Sequence, residues 1–309
     1  MTDPRSGPDD PRREAGREAQ AESGAEGPPD RAVPPPVDEE ALARAYEAGL
    51  AAEKRGAPDE AARFYREALR LDPADRCGVS VRLAAIGRAD PPPGAPPAYV
   101  ETLFDQHAEI FDAALVGALS YRAPMLLRDR LERLAPGPYA RMLDLGCGTG
   151  LAGEALRDLC ARIDGVDLSA GMLELADERG AYDELYMGEA VEFLRAPDEA
   201  PEDESQWDLI VATDVLPYMG DVAPLLEAAA AVAAPGAVLA LTTETPPPDL
   251  APERGWLVAP NHRYAHRESY LRAALAEAGF SPFHVEDIVV RTNEGRPEPG
   301  QLFLARREG

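Results

Sequence analysis

Lysine is almost missing from this chain: Lys54 is the only one in 309 residues. Arginine supplies the other basic groups, and 31 Lys and Arg face 56 Asp and Glu, a formal net charge of −25. Such a chain repels nucleic-acid phosphates and anionic lipid surfaces at long range, which argues against a nucleic-acid substrate. Cysteine is scarce and odd in number. Cys77, Cys147 and Cys160 form no paired spacing, so neither a disulfide framework nor a zinc site is expected. Long uninterrupted apolar runs are missing too. The best candidate, Val222 to Thr243, contains Glu227 and is broken by Pro235-Gly236, so it reads as a helix, a turn and a buried strand. The first residues carry Asp and Arg with no apolar core. No secretory leader and no membrane insertion are expected, and the expected location is cytoplasmic.

What is present divides the chain unevenly. Residues 1–37 are rich in Pro, Gly, Glu, Asp and Arg, too poor in large apolar groups to offset ordering entropy, and read as a disordered tail. Residues 38–90 have helical periodicity, with one helix around Ala45 to Gly49, a turn at Gly56-Ala57-Pro58-Asp59, and a second helix from Glu60 to Pro73. Gly49, Ala61, Tyr65, Ala68 and Pro73 fall where a tetratricopeptide (TPR) repeat wants small, small, aromatic, small and proline, while Ala45, Ala48 and Ala52 replace its larger residues. Cys77 to Arg88 would add a capping helix. One such hairpin either binds a protein partner or packs on the main domain. Residues 91–98 form a proline-rich linker, and residues 99–309 read as the main domain.

That domain opens with helices at Tyr99 to Asp112 and Ala123 to Leu134. Strands then alternate with helices: Met142 to Leu145, Ile163 to Asp167, Glu184 to Met187, Trp207 to Thr213 and Ala237 to Thr243. A helix at Glu268 to Ala278 precedes two closing strands, Phe283 to Arg291 and Gln301 to Ala305, joined by too few residues for a helical crossover. The alternation predicts an α/β fold, a seven-stranded, mostly parallel Rossmann-like sheet with a terminal antiparallel strand. A small TPR-like helical hairpin and the disordered tail precede it.

The richest stretch is Asp144-Leu145-Gly146-Cys147-Gly148-Thr149-Gly150, a strand running into a glycine loop and then a helix. Glycines at alternate positions remove Cβ atoms from one side of the loop, so a ligand can lie on bare backbone near helix N–H groups. A second strand ends in Asp167, where nucleotide-binding α/β folds place the acid that takes ribose hydroxyls. Cys147 sits beside a helix start, which lowers a thiol's pKa; its competing reading is a small residue suited to a tight turn.

The spacing is G-x-G-x-G, not the G-x-G-x-x-G of dinucleotide folds. With its leading acid it resembles motif I of the class I S-adenosylmethionine (SAM)-dependent methyltransferases. The resemblance covers about residues 99–307. The TPR-like hairpin, Leu103-Phe104-Asp105, Tyr121-Arg122-Ala123-Pro124 and Arg263-Tyr264-Ala265-His266 further resemble bacterial predicted methyltransferases that carry a TPR segment. The resemblance implies SAM as cofactor and a small-molecule or protein methyl acceptor. It implies that Gly146, Cys147, Gly148 and Gly150 admit the methionine end of SAM, that Asp144 contacts its amino-acid part through water, and that Asp167 takes both ribose hydroxyls. Leu168 or Met172 would pack near the adenine, Glu189 would accept from its amino group, and Thr213 would touch the methionine part. Competing readings are a helix cap for Asp167, a solvated helix-start acid for Glu189, and a buried strand residue for Thr213.

Methyl transfer from a sulfonium mostly needs alignment and desolvation, and a base only for some acceptors. The candidates are His266, His107 and Tyr218. The segment Asn261 to His266 gathers polar and aromatic groups between the fifth strand and the next helix, so it is expected to line the acceptor pocket, with His266 preferred as orienting group or base. Two other functions stay open. One is an aminopropyl transferase, which wants an acid-lined amine pocket. The other is a non-catalytic scaffold whose active surface is the TPR-like hairpin.

Overall fold

The structure, a computed structural model, describes residues 37–112, 121–196, 206–250, 252–293 and 295–308, so the expected tail lies outside it except for Val37. Helix α1 (Glu39–Lys54) starts where the Asp38 carboxylate accepts from the Ala41 amide, with Glu39 and Glu40 in the first turn and Lys54 in the last, charges that oppose the helix dipole. It packs against α2 (Pro58–Leu71) through small residues. Gly49 lies directly on the Tyr65 ring, leaving no room for a Cβ. Ala52, Ala61, Ala62 and Ala68 are buried around that contact, and Ala45 is buried in the same cluster, so two of the three alanines that depart from the repeat pattern belong to a tight seam.

A third helix, α3 (Val79–Ala85), carries the hairpin onto the rest of the chain. Val81 is buried with Trp256, Val258 and Tyr264, and large apolar groups buried this way contribute roughly 1.5–3 kcal/mol each. Glu53 and Arg82 both reach His262, at 3.1 and 3.3 Å. Val37–Gly309 accordingly form one compact unit. The proline-rich stretch is not slack either. Pro93 O accepts from the amides of Gly220 and Asp221, and the Ala95 amide donates to Tyr218 O, all at 2.8 Å. The stretch is a strap paired to the 218–221 loop.

Helices α4 (Pro97–Asp112) and α5 (Ala123–Leu134) lead into β1 (Tyr139–Leu145). The sheet then builds through β2 (Cys160–Asp167), β3 (Glu184–Met187), β4 (Trp207–Ala212) and β5 (Ala233–Glu244), in the spatial order β3-β2-β1-β4-β5, all parallel. The central strands β1 and β4 are buried on both faces, which is why they read as continuous apolar runs. Met142, Ile163 and Leu209 face Leu127 and Leu131 of α5. Leu143, Leu145 and Ile210 face the opposite layer, which includes α8 (Ala190–Arg195), α9 (Ala223–Val232) and α10 (Glu268–Glu277). The crossovers after β1 and β2 carry α6 (Leu151–Leu156) and α7 (Ala170–Arg179).

The closing strands β8 (Phe280–Asn293) and β9 (Arg296–Arg307) pair antiparallel, with β9 antiparallel along β5 from Val238 to Glu244. The sheet differs from the seven-strand expectation by two short strands, β6 (Trp256–Val258) and β7 (Tyr264–His266). β9 already occupies one edge of β5 at Glu244. The single Glu244–Ala265 pairing therefore uses the other edge, beyond the end of β4. Three-residue strands are too short to show a period of two. Among the described residues no helix is long and apolar enough to cross a membrane.

Candidate active site

The sheet order reverses between β1 and β4, and the loops at the carboxyl ends of these strands face one crevice, where open α/β sheets bind ligands. Gly146 has φ +64° and its absent Cβ would sit 2.6 Å from Val215 Cγ2, so both conformation and space demand glycine there. Gly148, at φ +55°, has nothing within 4 Å of its Cβ position. A side chain there would fill the crevice, so bare backbone is what makes room for a ligand. Asp167 fixes this loop from β2: one carboxylate oxygen accepts the Gly148 amide and the other the Ser169 amide, both at 2.9 Å. Burial raises its pKa and these backbone bonds oppose the rise.

The crevice is a cavity of about 340 Å³, within the range of small-molecule sites. Gly146, Cys147, Gly148, Asp167, Leu168, Glu189 and Thr213 line it. Its other walls are the strap (Pro93 to Ala95), Val100 and Phe104 of α4, Tyr121, and Asp214, Val215, Tyr218 and Met219. Behind that wall lies a buried ionic quartet. Arg263 Nε donates to Glu244 at 2.6 Å, its Nη1 to the Tyr218 hydroxyl at 2.8 Å, and its Nη2 to Asp214 Oδ1 at 2.5 Å. Arg291 reaches the same Glu244 oxygen at 2.9 Å. The guanidinium of Arg263 also lies 4.9 Å from the Tyr218 ring centroid, a cation–π contact. Two cations and two anions cancel, so the cluster is neutral as a whole.

A methyltransferase-domain family matches residues 143–239. Residues 143–239 are thus a methyltransferase domain, similar to those of SAM-dependent methyltransferases. A ubiquinone biosynthesis O-methyltransferase from Bordetella avium is 30% identical over 154 residues, covering 46% of this chain and 62% of that protein. A trans-aconitate 2-methyltransferase from Paracidovorax citrulli is 35% identical over 113 residues, 36% of this chain and 41% of that protein. More than a third of the first relative and more than half of the second is therefore unmatched. Among solved structures, a S-adenosylmethionine-dependent methyltransferase from Clostridium acetobutylicum is 17% identical at a TM-score of 0.48, covering 67% of this chain and all of that one.

Within the methyltransferase domain, three residues expected to touch the cofactor stand behind the cavity. Asp144 is fully buried, with Oδ2 accepting from the Tyr182 hydroxyl at 2.7 Å and Oδ1 without a hydrogen bond. Burial lifts its pKa to about 7, against the bond from Tyr182. Gly150 and Gly153 are glycines for the same reason, since a Cβ on either would meet the Tyr182 ring. Met172 is buried and off the lining, and its amide donates to the capping Ser169 hydroxyl. Two of the competing readings describe real contacts. Glu189 lines the cavity and caps α8, accepting from the Glu192 amide at 2.8 Å. Burial, with Asp144 and Asp167 nearby, pushes the Cys147 thiol well up, against the lowering expected beside a helix start.

The histidine expectation is corrected. His266 lies in β7, is fully buried, and does not line the cavity. Its Nε2 faces Gly220 O at 3.2 Å and its Nδ1 faces Thr243 Oγ1 at 2.7 Å, so both ring nitrogens are committed. Burial lowers its pKa to about 4, leaving it neutral and unable to meet a ligand. Of the Asn261 to His266 segment, none reaches the lining. His107 is exposed on α4, with Nδ1 on Leu103 O at 2.7 Å, and is also off the lining. Tyr218 alone of the three is a wall residue, and burial raises its pKa above the usual phenol value. Sequence reasoning missed Asp214, which follows Thr213 at φ +60°, a left-handed conformation uncommon outside glycine. Its one sequence signal was its place just past the fourth strand.

Proposed function

We propose that the protein transfers a methyl group from SAM to a small-molecule acceptor held in the cavity. The carrying observation is that the open backbone at Gly148 and the carboxylate of Asp167 form one end of a cavity whose other end is apolar and aromatic. When bound, SAM supplies an electrophilic methyl on a sulfonium. Each Asp167 oxygen has spent one lone pair on a backbone amide and keeps another for a ribose hydroxyl. Leu168 offers an apolar surface beside it, and Glu189 keeps Oε1 beyond its capping bond. Thr213 lies at the end of β4, against the methionine side of the loop.

The chain's contribution to rate is alignment and exclusion of water. Val100, Phe104, Tyr121 and Met219 do the excluding, and the strap closes the wall. Phe104 meets the Tyr218 ring edge-on at 5.3 Å, which holds α4 against the 218–221 loop. The test is calorimetric titration with SAM, followed by turnover with methyl-labelled SAM and a fractionated pool of small molecules. Label in a small-molecule fraction is the expected result. No heat with SAM, or label confined to protein, would overturn the reading.

A further inference from the structure

The acceptor end of the cavity carries an unusual set of polar groups. Asp167, Glu189, Asp214 and Asp221 line the cavity, and no Lys, Arg or His among the described residues does so. Asp167 and Glu189 belong to the donor end. Asp221 sits at the rim, where Oδ1 accepts from the Tyr270 hydroxyl and the Ala223 amide. Asp214 is different. Its Oδ1 is held by Arg263, its side chain retains 17% of its exposure, and its Oδ2 makes no hydrogen bond with any described residue. The left-handed backbone at Asp214, tied by its amide to Thr242 Oγ1 at 3.0 Å, and the Arg263 bond to Oδ1 together hold the carboxylate in the wall.

Two independent constraints then meet. The first is charge. A carboxylate or phenolate acceptor would meet four carboxylates in the wall, of which Asp214 is paired with Arg263, at a large desolvation cost. The second is proton handling. A neutral hydroxyl must lose its proton as it attacks, and the bases on the wall are carboxylates, which take it less readily than a histidine would. Tyr218 is no substitute, because burial raises its pKa and its oxygen already accepts from Arg263. An amine satisfies both constraints. It attacks as the free base, so no proton leaves in the bond-making step.

We infer that the acceptor is an amine on an apolar or aromatic body, and that the free oxygen of Asp214 receives its N–H. The inference rests on methyl transfer as proposed above. In the step, the nitrogen lone pair forms the N–C bond as the bond from methyl carbon to sulfur breaks. The electron pair of the broken bond stays on sulfur, and the positive charge passes to nitrogen beside Asp214. The product leaves as a methylammonium and gives up its extra proton to solvent. The apolar wall of Val100, Phe104 and Tyr121 takes the body of the acceptor. The matched family segment, residues 143–239, includes Asp214 but not the strap, Val100, Phe104 or Tyr121, so kinship with an O-methyltransferase does not fix the wall that takes the acceptor's body. An acid-lined amine pocket also suits aminopropyl transfer, which the methyltransferase-domain match disfavours and the label below separates.

The full-length protein is incubated with SAM carrying an isotopically labelled methyl carbon and a deproteinised cell extract, and the labelled product is read by proton–carbon correlation NMR. N-methyl resonances are expected. A label on oxygen, sulfur or carbon overturns the amine inference and leaves methyl transfer standing. SAM binding without any labelled product overturns methyl transfer and this inference with it. Asp214→Asn should lower N-methyl formation by about tenfold or more while SAM affinity stays within about twofold, as expected when a charge-assisted hydrogen bond becomes a neutral one. Unchanged N-methyl formation in that variant removes Asp214 from the acceptor site.

Discussion

Asp167 Oδ2 lies 2.9 Å from the amide nitrogen of Gly148, so the acid ending β2 holds the loop ending β1. The same side chain is a loop clamp and the ribose-binding group proposed above. Asp167→Ala should weaken SAM binding by on the order of 2 kcal/mol, through lost charge-assisted bonds and a looser loop. Titration calorimetry on wild type and variant measures this, and equal dissociation constants would sink the assignment.

Two glycines of that loop should fail in different ways. At Gly146 an added Cβ meets Val215 at 2.6 Å, so Gly146→Ala should lower folding stability by about 1–3 kcal/mol from overpacking and strain. At Gly148 the Cβ position is open, so Gly148→Ala should cost about 1 kcal/mol for its positive φ yet abolish most SAM binding by filling the cradle. Paired denaturation and binding curves separate the two. Equal loss of binding at equal stability would show that the loop does not discriminate them.

Burial gives Asp144 and His266 opposite pH signatures. The folded pKa of His266, about 4, lies below its ordinary 6.5, so the unfolded chain binds the proton first. Its contribution is full above 6.5 and is lost as pH falls toward 4. The folded pKa of Asp144, about 7, lies above its ordinary 3.8, so its contribution is full below 3.8 and is lost as pH rises toward 7. The two slopes, each about 1.4 kcal/mol per pH unit, offset one another in the acid range. Relative to wild type, Asp144→Asn should gain stability as pH rises through this window, and His266→Gln as pH falls. Urea denaturation across pH reads both, and parallel curves would show that neither group titrates as its burial dictates.

Removing Arg263 leaves Asp214 and Glu244 buried with too few partners. Arg263→Met should destabilise the fold by about 3–5 kcal/mol, the usual result of breaking one side of a buried ion pair. Chemical denaturation checks this. A loss under about 1 kcal/mol would mean that the quartet is solvated and worth no more than a surface pair.

A chain truncated to begin at Pro97 should be poorly soluble and should melt well below the full protein. It would expose Trp256, Val258 and Tyr264 and lose the three strap hydrogen bonds. A soluble, cooperative unfolding transition near the full-length midpoint would show instead that α1 to α3 are an independent module.

Some elements were legible because local rules sufficed. β3 spans Glu184–Met187 and α5 spans Ala123–Leu134, the ranges expected from the sequence. The glycine loop was legible because its backbone geometry leaves a direct mark on residue choice. What the sequence hid depends on distance along the chain. Arg263 meets Glu244 and Asp214, and Arg291 meets Glu244, only after the sheet has formed. The proline-rich strap has a linker's composition, and only its pairing with residues 218–221 makes it a wall. His266 looked available because it sat in a polar, aromatic hexapeptide, yet its strand was too short to announce itself and buried it.

The strap has a consequence in time. Cys147, Asp167 and their neighbours come from adjacent strands, so the donor end of the crevice can assemble early from β1 and β2. The acceptor end closes only when Pro93 finds Gly220, a pairing that spans much of the chain and is slow to form for that reason. During synthesis the strap cannot pair until the ribosome has delivered the 218–221 loop. Only then does the enclosure needed to keep a reactive sulfonium dry exist.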